Sequence, residues 1–80
     1  MRTVSVQYFA ILREQRGLAT ETLLTDAVTP LELYTRLQDQ HHFSLPAARI
    51  RTAINDNFAD HGSILREGDR VVFIPPVAGG

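Results

Sequence analysis

The eighty residues contain no cysteine. The chain can therefore form no disulfide, and none of its side chains can hold a persulfide, a thioester or a thiolate. Any sulfur that it handles has to sit elsewhere. An excess of one charge is missing too: eight Lys plus Arg stand against nine Asp plus Glu, a net charge of −1. Neutralising several phosphates takes a basic stripe that this balance does not supply, which argues against nucleic acid as a partner. Long hydrophobic runs are absent as well. The stretch MRTVSVQYFAIL alternates polar and apolar residues instead of forming a signal peptide's apolar core, and no later stretch is long enough to span a bilayer. A cytoplasmic protein with no membrane partner is expected. The chain also lacks internal repeats, linkers and low-complexity segments.

What is present reads as one small globular domain. Hydrophobic residues make up 44% and charged residues 21%, an ordinary balance for a packed core. A core of this size supplies only roughly 3–5 kcal/mol without staples. Val4, Val6 and Tyr8 alternate with Thr3, Ser5 and Gln7, which predicts a first strand with three apolar residues on one face. Phe9 breaks that alternation, and AILREQRG then reads as a short helical turn closed by Gly17. TETLLT, residues 20–25, predicts a second strand.

The next helix carries clear boundary signals. Thr29 caps it, Pro30 takes the first helical position, and Glu32 completes a capping box, with Val28 and Leu33 placed for a hydrophobic staple. Leu33, Tyr34 and Leu37 form its core-facing stripe; Glu32, Arg36, Gln38 and Asp39 are expected on the wet side. It should end near His41-His42, ahead of Pro46. The two histidines point about 100° apart on a helix and have no second ligand at helical spacing, and His61 stands alone, so no metal site is assigned. Beyond Ile50, RTAIN, a polar turn at Asp56-Asn57, FADHGSIL and a turn at Gly68 lead to RVVFI, residues 70–74. Val71 and Phe73 take one face of that strand, Val72 and Ile74 the other. The expected architecture is α+β, a mixed sheet with one main helix laid across one face.

The chain then closes on Pro75-Pro76-Val77-Ala78-Gly79-Gly80. The prolines fix φ and remove two donors, so the chain leaves the sheet as a stiff extended segment. Six residues reach at most roughly 20 Å, enough to enter a neighbouring protein's active site. Gly79 and Gly80, without Cβ atoms, suit a narrow channel, and Val77 and Ala78 offer apolar contacts on the way. A terminal Ala-Gly-Gly alone would equally be a frayed end. No residue from Pro75 onward is an acid, a base or a side-chain nucleophile, so this chain is not itself the catalyst. Phe9 and Ile74 stand out of register with the core residues and Phe58 follows a polar turn; together they could form an apolar docking patch beside the tail, with Arg13 at its rim, and each could instead complete the core.

YFAILRE after the first strand, AINDN before the middle turn and LREGDRVVFIPPVAGG at the end resemble the MoaD family, the small subunits of molybdopterin synthase and ubiquitin-like β-grasp sulfur carriers. The resemblance covers nearly the whole chain and implies a β-grasp domain over 1–75 with an extended reactive tail over 76–80. It implies no stably bound cofactor. It implies a transient acyl-adenylate formed from ATP at Gly80, followed by a terminal thiocarboxylate whose sulfur passes to cyclic pyranopterin monophosphate. The implied partners are a MoaE-like large subunit in a heterotetramer of two small and two large subunits, a ubiquitin-activating-type (MoeB-like) adenylating enzyme and a sulfur donor protein. Carriers for a thiamine-type or thiolation pathway, and ubiquitin-like modifiers joined to lysines, share the same activation and stay open.

Overall fold

The computed structural model describes residues 1–76. In chain order they form β1 (Arg2–Tyr8), α1 (Ala10–Arg16), β2 (Thr20–Thr25), α2 (Pro30–His41), a 3-10 turn (Ala47–Arg49), β3 (Arg51–Ile54), β4 (Asn57–Ala59) and β5 (Arg70–Ile74). The strands make one sheet in the order β2-β1-β5-β3-β4. Only β1 and β5 run parallel; the other neighbours are antiparallel. The expected mixed sheet with its main helix on one face is present, in the β-grasp arrangement. The expectations for Val77, Ala78, Gly79 and Gly80 lie outside the described residues.

Strand alternation places the core. Val4, Val6 and Tyr8 of β1 and Val71 and Phe73 of β5 are at most 1% exposed, and α2 lays Leu33, Tyr34 and Leu37 over them. Tyr34 meets Phe73 edge-on at 5.2 Å and stacks on Phe43 at 5.8 Å, and Tyr8 meets Phe43 edge-on at 5.8 Å. Such pairs add about 0.5–1.5 kcal/mol each beyond burial. Both buried phenols find acceptors: Tyr34 Oη donates to the Leu45 carbonyl and Tyr8 Oη to Glu21 Oε2, each at 2.6 Å. Burial pushes the Tyr34 hydroxyl up to about 12, so it remains a donor at any ordinary pH.

Helix ends follow the sequence signals, with one shift. The Glu32 N–H donates to Thr29 Oγ1 at 3.2 Å, but the Glu32 carboxylate accepts from the Val28 N–H, one residue before the expected partner. Val28 itself stays 40% exposed while Leu33 is buried. The C-cap His42 takes φ 58. Gln38 corrects the expected wet face: it is half-buried, and its amide donates to the Leu45 and Phe43 carbonyls. The α2–β3 connection folds back over that side of the helix.

The second correction concerns the β3–β4 hairpin. Its turn is Asn55-Asp56, with φ 51 and 73, one residue earlier than expected. Two consecutive left-handed residues give the tight turn whose twist suits a hairpin, and Asn and Asp tolerate that region best after glycine. Asn57 therefore starts β4, which is only three residues long. FADHGSIL does not continue as a strand: a turn closes from Ser63 N–H to the Asp60 carbonyl, and the segment straps α2 to the sheet. Leu31 N–H donates to the His61 carbonyl and Leu65 N–H to the Val28 carbonyl, which drops Leu65 into the core.

A charged knot ties α1 to the sheet. Arg16 Nε and Nη2 both reach Glu21 at 2.8 Å, and Glu21 also accepts from Tyr8. The Arg16 guanidinium holds the Glu21 carboxyl below its ordinary 4.5. Its stabilising contribution is therefore fully present above about pH 4.5 and fades as pH falls through the lowered folded value. Glu21→Gln should flatten the acid limb of stability in denaturant titrations run at falling pH, and an unchanged limb would remove this assignment. Thr29→Ala should cost about 1 kcal/mol, read as a melting temperature lower by roughly 4–8 °C.

Candidate functional site

β5 is the central strand and the last, so its end decides where the remaining chain leaves. Because β1 and β5 are parallel, with Tyr8 opposite Phe73, both strands finish at the same edge of the sheet. Phe9 and Ile74 each follow by one residue and turn to the face away from α2. On the other side Arg51 pairs with Ile74. One step back, Gln7, Val72, Ala53 and Phe58 form a second row across four strands. These rows enclose a shallow groove of about 280 Å³ lined by Gln7, Phe9, Ala53, Asp56, Phe58, Val72 and Ile74.

Local conformation holds these side chains open. Phe9 is extended and Ala10 takes φ 50, a left-handed position that costs a non-glycine residue roughly 1–2 kcal/mol. The break ends β1 and starts α1, leaving Phe9 42% exposed. Phe58 is 66% exposed on short β4, and the Arg51 guanidinium lies 4.1 Å from its ring centre. Ile74 is half-buried, Pro75 buried and Pro76 exposed. Pro75 has no N–H to extend the ladder, so pairing stops at Ile74 and the chain surfaces at Pro76.

The other end of β5 is clamped. Buried Asp69 accepts from Asn55 Nδ2 at 2.9 Å and from the Arg66 N–H at 2.8 Å, and Asn55 Oδ1 accepts from the Arg70 N–H at 3.0 Å. Gly68, at φ 84, makes the turn that feeds this clamp. The hairpin turn and the start of β5 thus move as one body, and the groove inherits their rigidity.

The groove is chemically quiet. Asp56 is the one titratable residue in its lining, and its carboxylate pairs with Arg70. Of the residues singled out from sequence, Phe9, Phe58 and Ile74 share this groove; Arg13 is exposed on α1 and does not line it. Sequence reasoning missed Arg51 and Ala53, whose place depends on the β3–β5 register. A second hollow beyond Phe58 is lined by Asp60 and His61, among others. There His61 Nε2 lies 2.8 Å from the Ile50 carbonyl. A carbonyl only accepts, so this nitrogen donates. Among the described residues no three His, Cys, Asp or Glu side chains are placed to hold a metal ion, and no helix is long and apolar enough to cross a membrane.

The ThiS family model matches residues 6–80. A protein assigned as molybdopterin converting factor, subunit 1, from Pyrococcus furiosus superposes with a TM-score of 0.80 at 25% identity, over 96% of this chain and 100% of that one. Subunit 1 in a complex of subunits 1 and 2 of the molybdopterin-converting factor from Helicobacter pylori gives 0.68 at 26% identity, over 98% and 99%. SAMP1 from Haloferax volcanii gives 0.76 at 25%, over 98% and 99%. No curated protein sequence matches the chain.

The exposed and buried aromatics of the sheet should separate cleanly in thermal melts. Phe58→Ser should cost less than about 1 kcal/mol, since it removes mainly surface contacts. Phe73→Ser, at a residue with no exposure, should abolish folding, because losing a buried phenyl costs about 3–5 kcal/mol. Equal losses in the two variants would mean that the groove face is covered.

Proposed function

The chain belongs to the ThiS family of ubiquitin-like β-grasp sulfur carriers, and we propose that it is the sulfur-carrier small subunit of a molybdopterin synthase. The carrying observation is that the central strand runs out beside an apolar, chemically quiet groove and continues into Pro75-Pro76-Val77-Ala78-Gly79-Gly80. A body that recognises is joined to a tail whose only reactive group is its carboxyl.

The chemistry assigned to that tail needs other proteins. A Gly80 carboxylate oxygen attacks the α-phosphorus of ATP and expels pyrophosphate, leaving an acyl-adenylate. Sulfide-level sulfur from a donor then attacks the carbonyl carbon and AMP departs, giving a thiocarboxylate with no change of oxidation state. In the large subunit the sulfur passes to cyclic pyranopterin monophosphate, and two sulfurs are required per dithiolene. The acids and bases belong to the partners, since the tail has none. The groove residues Phe9, Phe58, Val72 and Ile74 dock the body while the tail enters. Support for this acceptor comes from the F-x-P-P-V-x-G-G ending and from the two neighbours named for molybdopterin conversion, one of them solved with its subunit 2.

A second reading keeps the activation and changes the acceptor: a carrier for another pathway, or a protein modifier. The family name and the likeness to SAMP1, a small archaeal modifier protein, favour weighing it. Intact mass after incubation with ATP, a family-type adenylating enzyme and sulfide decides the shared step. A gain equal to exchanging one oxygen for one sulfur, lost when Gly80 is deleted, is the expected result. No gain with an enzyme able to charge a related carrier would end the carrier reading. Adding the large subunit and the precursor then separates the acceptors: molybdopterin formation supports the first reading, lysine-linked adducts the second.

A further inference from the structure

All eight basic side chains are arginine; the chain has no lysine, just as it has no cysteine. For a protein with an activated carboxyl this matters chemically. Amines capture acyl-adenylates and thioesters as lasting amides and thiols divert them into thioesters, whereas a guanidinium stays protonated, with five donors and no acceptor. Esters of hydroxyls form slowly, and acyl-imidazoles hydrolyse.

The position where a lysine would matter most is Arg51. It pairs with Ile74 at the root of the tail, is exposed, and lies over Phe58 at the groove rim. The six residues after Ile74 span at most roughly 20 Å and end in two freely turning glycines, so Gly80 always lies within that radius of Ile74, the residue that Arg51 pairs with. The Met1 amine is not so placed. It lies beyond the far end of β1, and seven strand residues cover about 23 Å.

We propose that arginine at these positions, Arg51 above all, is an acceptor-specificity device. It keeps positive charge around the docking groove while denying the activated Gly80 carbonyl any amine or thiol side chain on its own chain or on another copy. The acyl group can then pass only to an external nucleophile. If the chain is joined to protein amines, it is joined singly, never in side-chain-linked chains. The inference rests on the carrier reading, because it matters only for a chain whose Gly80 is activated.

The test uses a Gly80 thioester made chemically by intein cleavage with a small thiol, so it is independent of any adenylating enzyme. Attack by an amine bonds its nitrogen to the Gly80 carbonyl carbon, breaks the carbon–sulfur bond and releases the thiol with the proton lost by nitrogen; nothing is oxidised. At mildly alkaline pH the natural chain, with its Met1 amine blocked by acetylation as in every variant, should lose its thioester by hydrolysis alone. Arg51→Lys should instead form an internal amide, one water lighter than the hydrolysed chain, at a rate independent of protein concentration. That closure should run roughly a thousandfold faster than adduct formation between copies at micromolar protein, since a short tether gives a millimolar effective concentration. Arg36→Lys serves as the distant control, because Arg36 pairs with Asp26 at the Met1 end of the sheet; it should give only concentration-dependent adducts. Arg13→Lys, on α1 beside Phe9, is a second variant near the tail. Amide-linked copies of the natural chain, or Arg51→Lys and Arg13→Lys thioesters that hydrolyse like the natural one, would overturn the inference. A failure of enzymatic charging would instead strike the carrier reading and leave this result readable.

Discussion

Everything in this domain depends on the last strand entering the middle of the sheet. β1 with β2, and β3 with β4, are units of neighbours in sequence, but in the sheet the two units are joined through β5, which pairs with one strand of each. The decisive pairing, Ser5 with Arg70 through Tyr8 with Phe73, joins residues from opposite ends of the chain. Such a contact is rewarded only after a long loop has been closed. Until then the apolar faces of Val4, Val6 and Tyr8 lack Val71 and Phe73. A strand with this role has to be apolar on both faces, and RVVFI is.

The two faces of β5 then divide the labour. Val71 and Phe73 are sealed under α2, where the Tyr8, Tyr34, Phe43 and Phe73 rings interlock. Val72 and Ile74 look the other way, onto a face that no helix covers among the described residues. The same strand is therefore the keel of the core and the floor of the groove. The Asp69–Asn55 clamp at its start and the missing N–H of Pro75 at its end set its limits. Where the tail begins is a consequence of core packing, not a separate feature.

Much of this was legible in local patterns. Strand alternation identified the buried residues of β1 and β5, and the Thr29-Pro30-Glu32 signal located α2, because both are set by neighbours within a few residues. Phe9 and Ile74 stand out for breaking register and Phe58 for following a polar turn, and the three share one groove. What escaped the sequence depends on contacts between distant segments. Whether the hairpin turns at Asn55-Asp56 or one residue later rests on Asn55 bonding to Asp69 and Arg70, neither of which is near it in the chain. Gln38 reads as a surface helix residue until the loop carrying Leu45 folds over it. Arg51 reads as solvated until the β3–β5 register sets it opposite Ile74.

An uncovered apolar groove is a cost that the fold tolerates rather than an accident. A small domain has only a few kcal/mol to spare, so covering Phe9 and Phe58 with its own chain would add stability that it could use. Instead the strained φ of Ala10 keeps Phe9 outside, and short β4 carries Phe58 at the rim. Arg51 lying on the Phe58 ring shields part of that surface from unwanted association while remaining easy to displace or to engage, since a stacked guanidinium keeps its in-plane donors. Most of the buried apolar side chains lie on the helix-covered face, where the aromatic cluster is closely built. A surface left open at this expense and placed at the root of the outgoing chain fits the proposed function, in which another protein holds the body while working on its end.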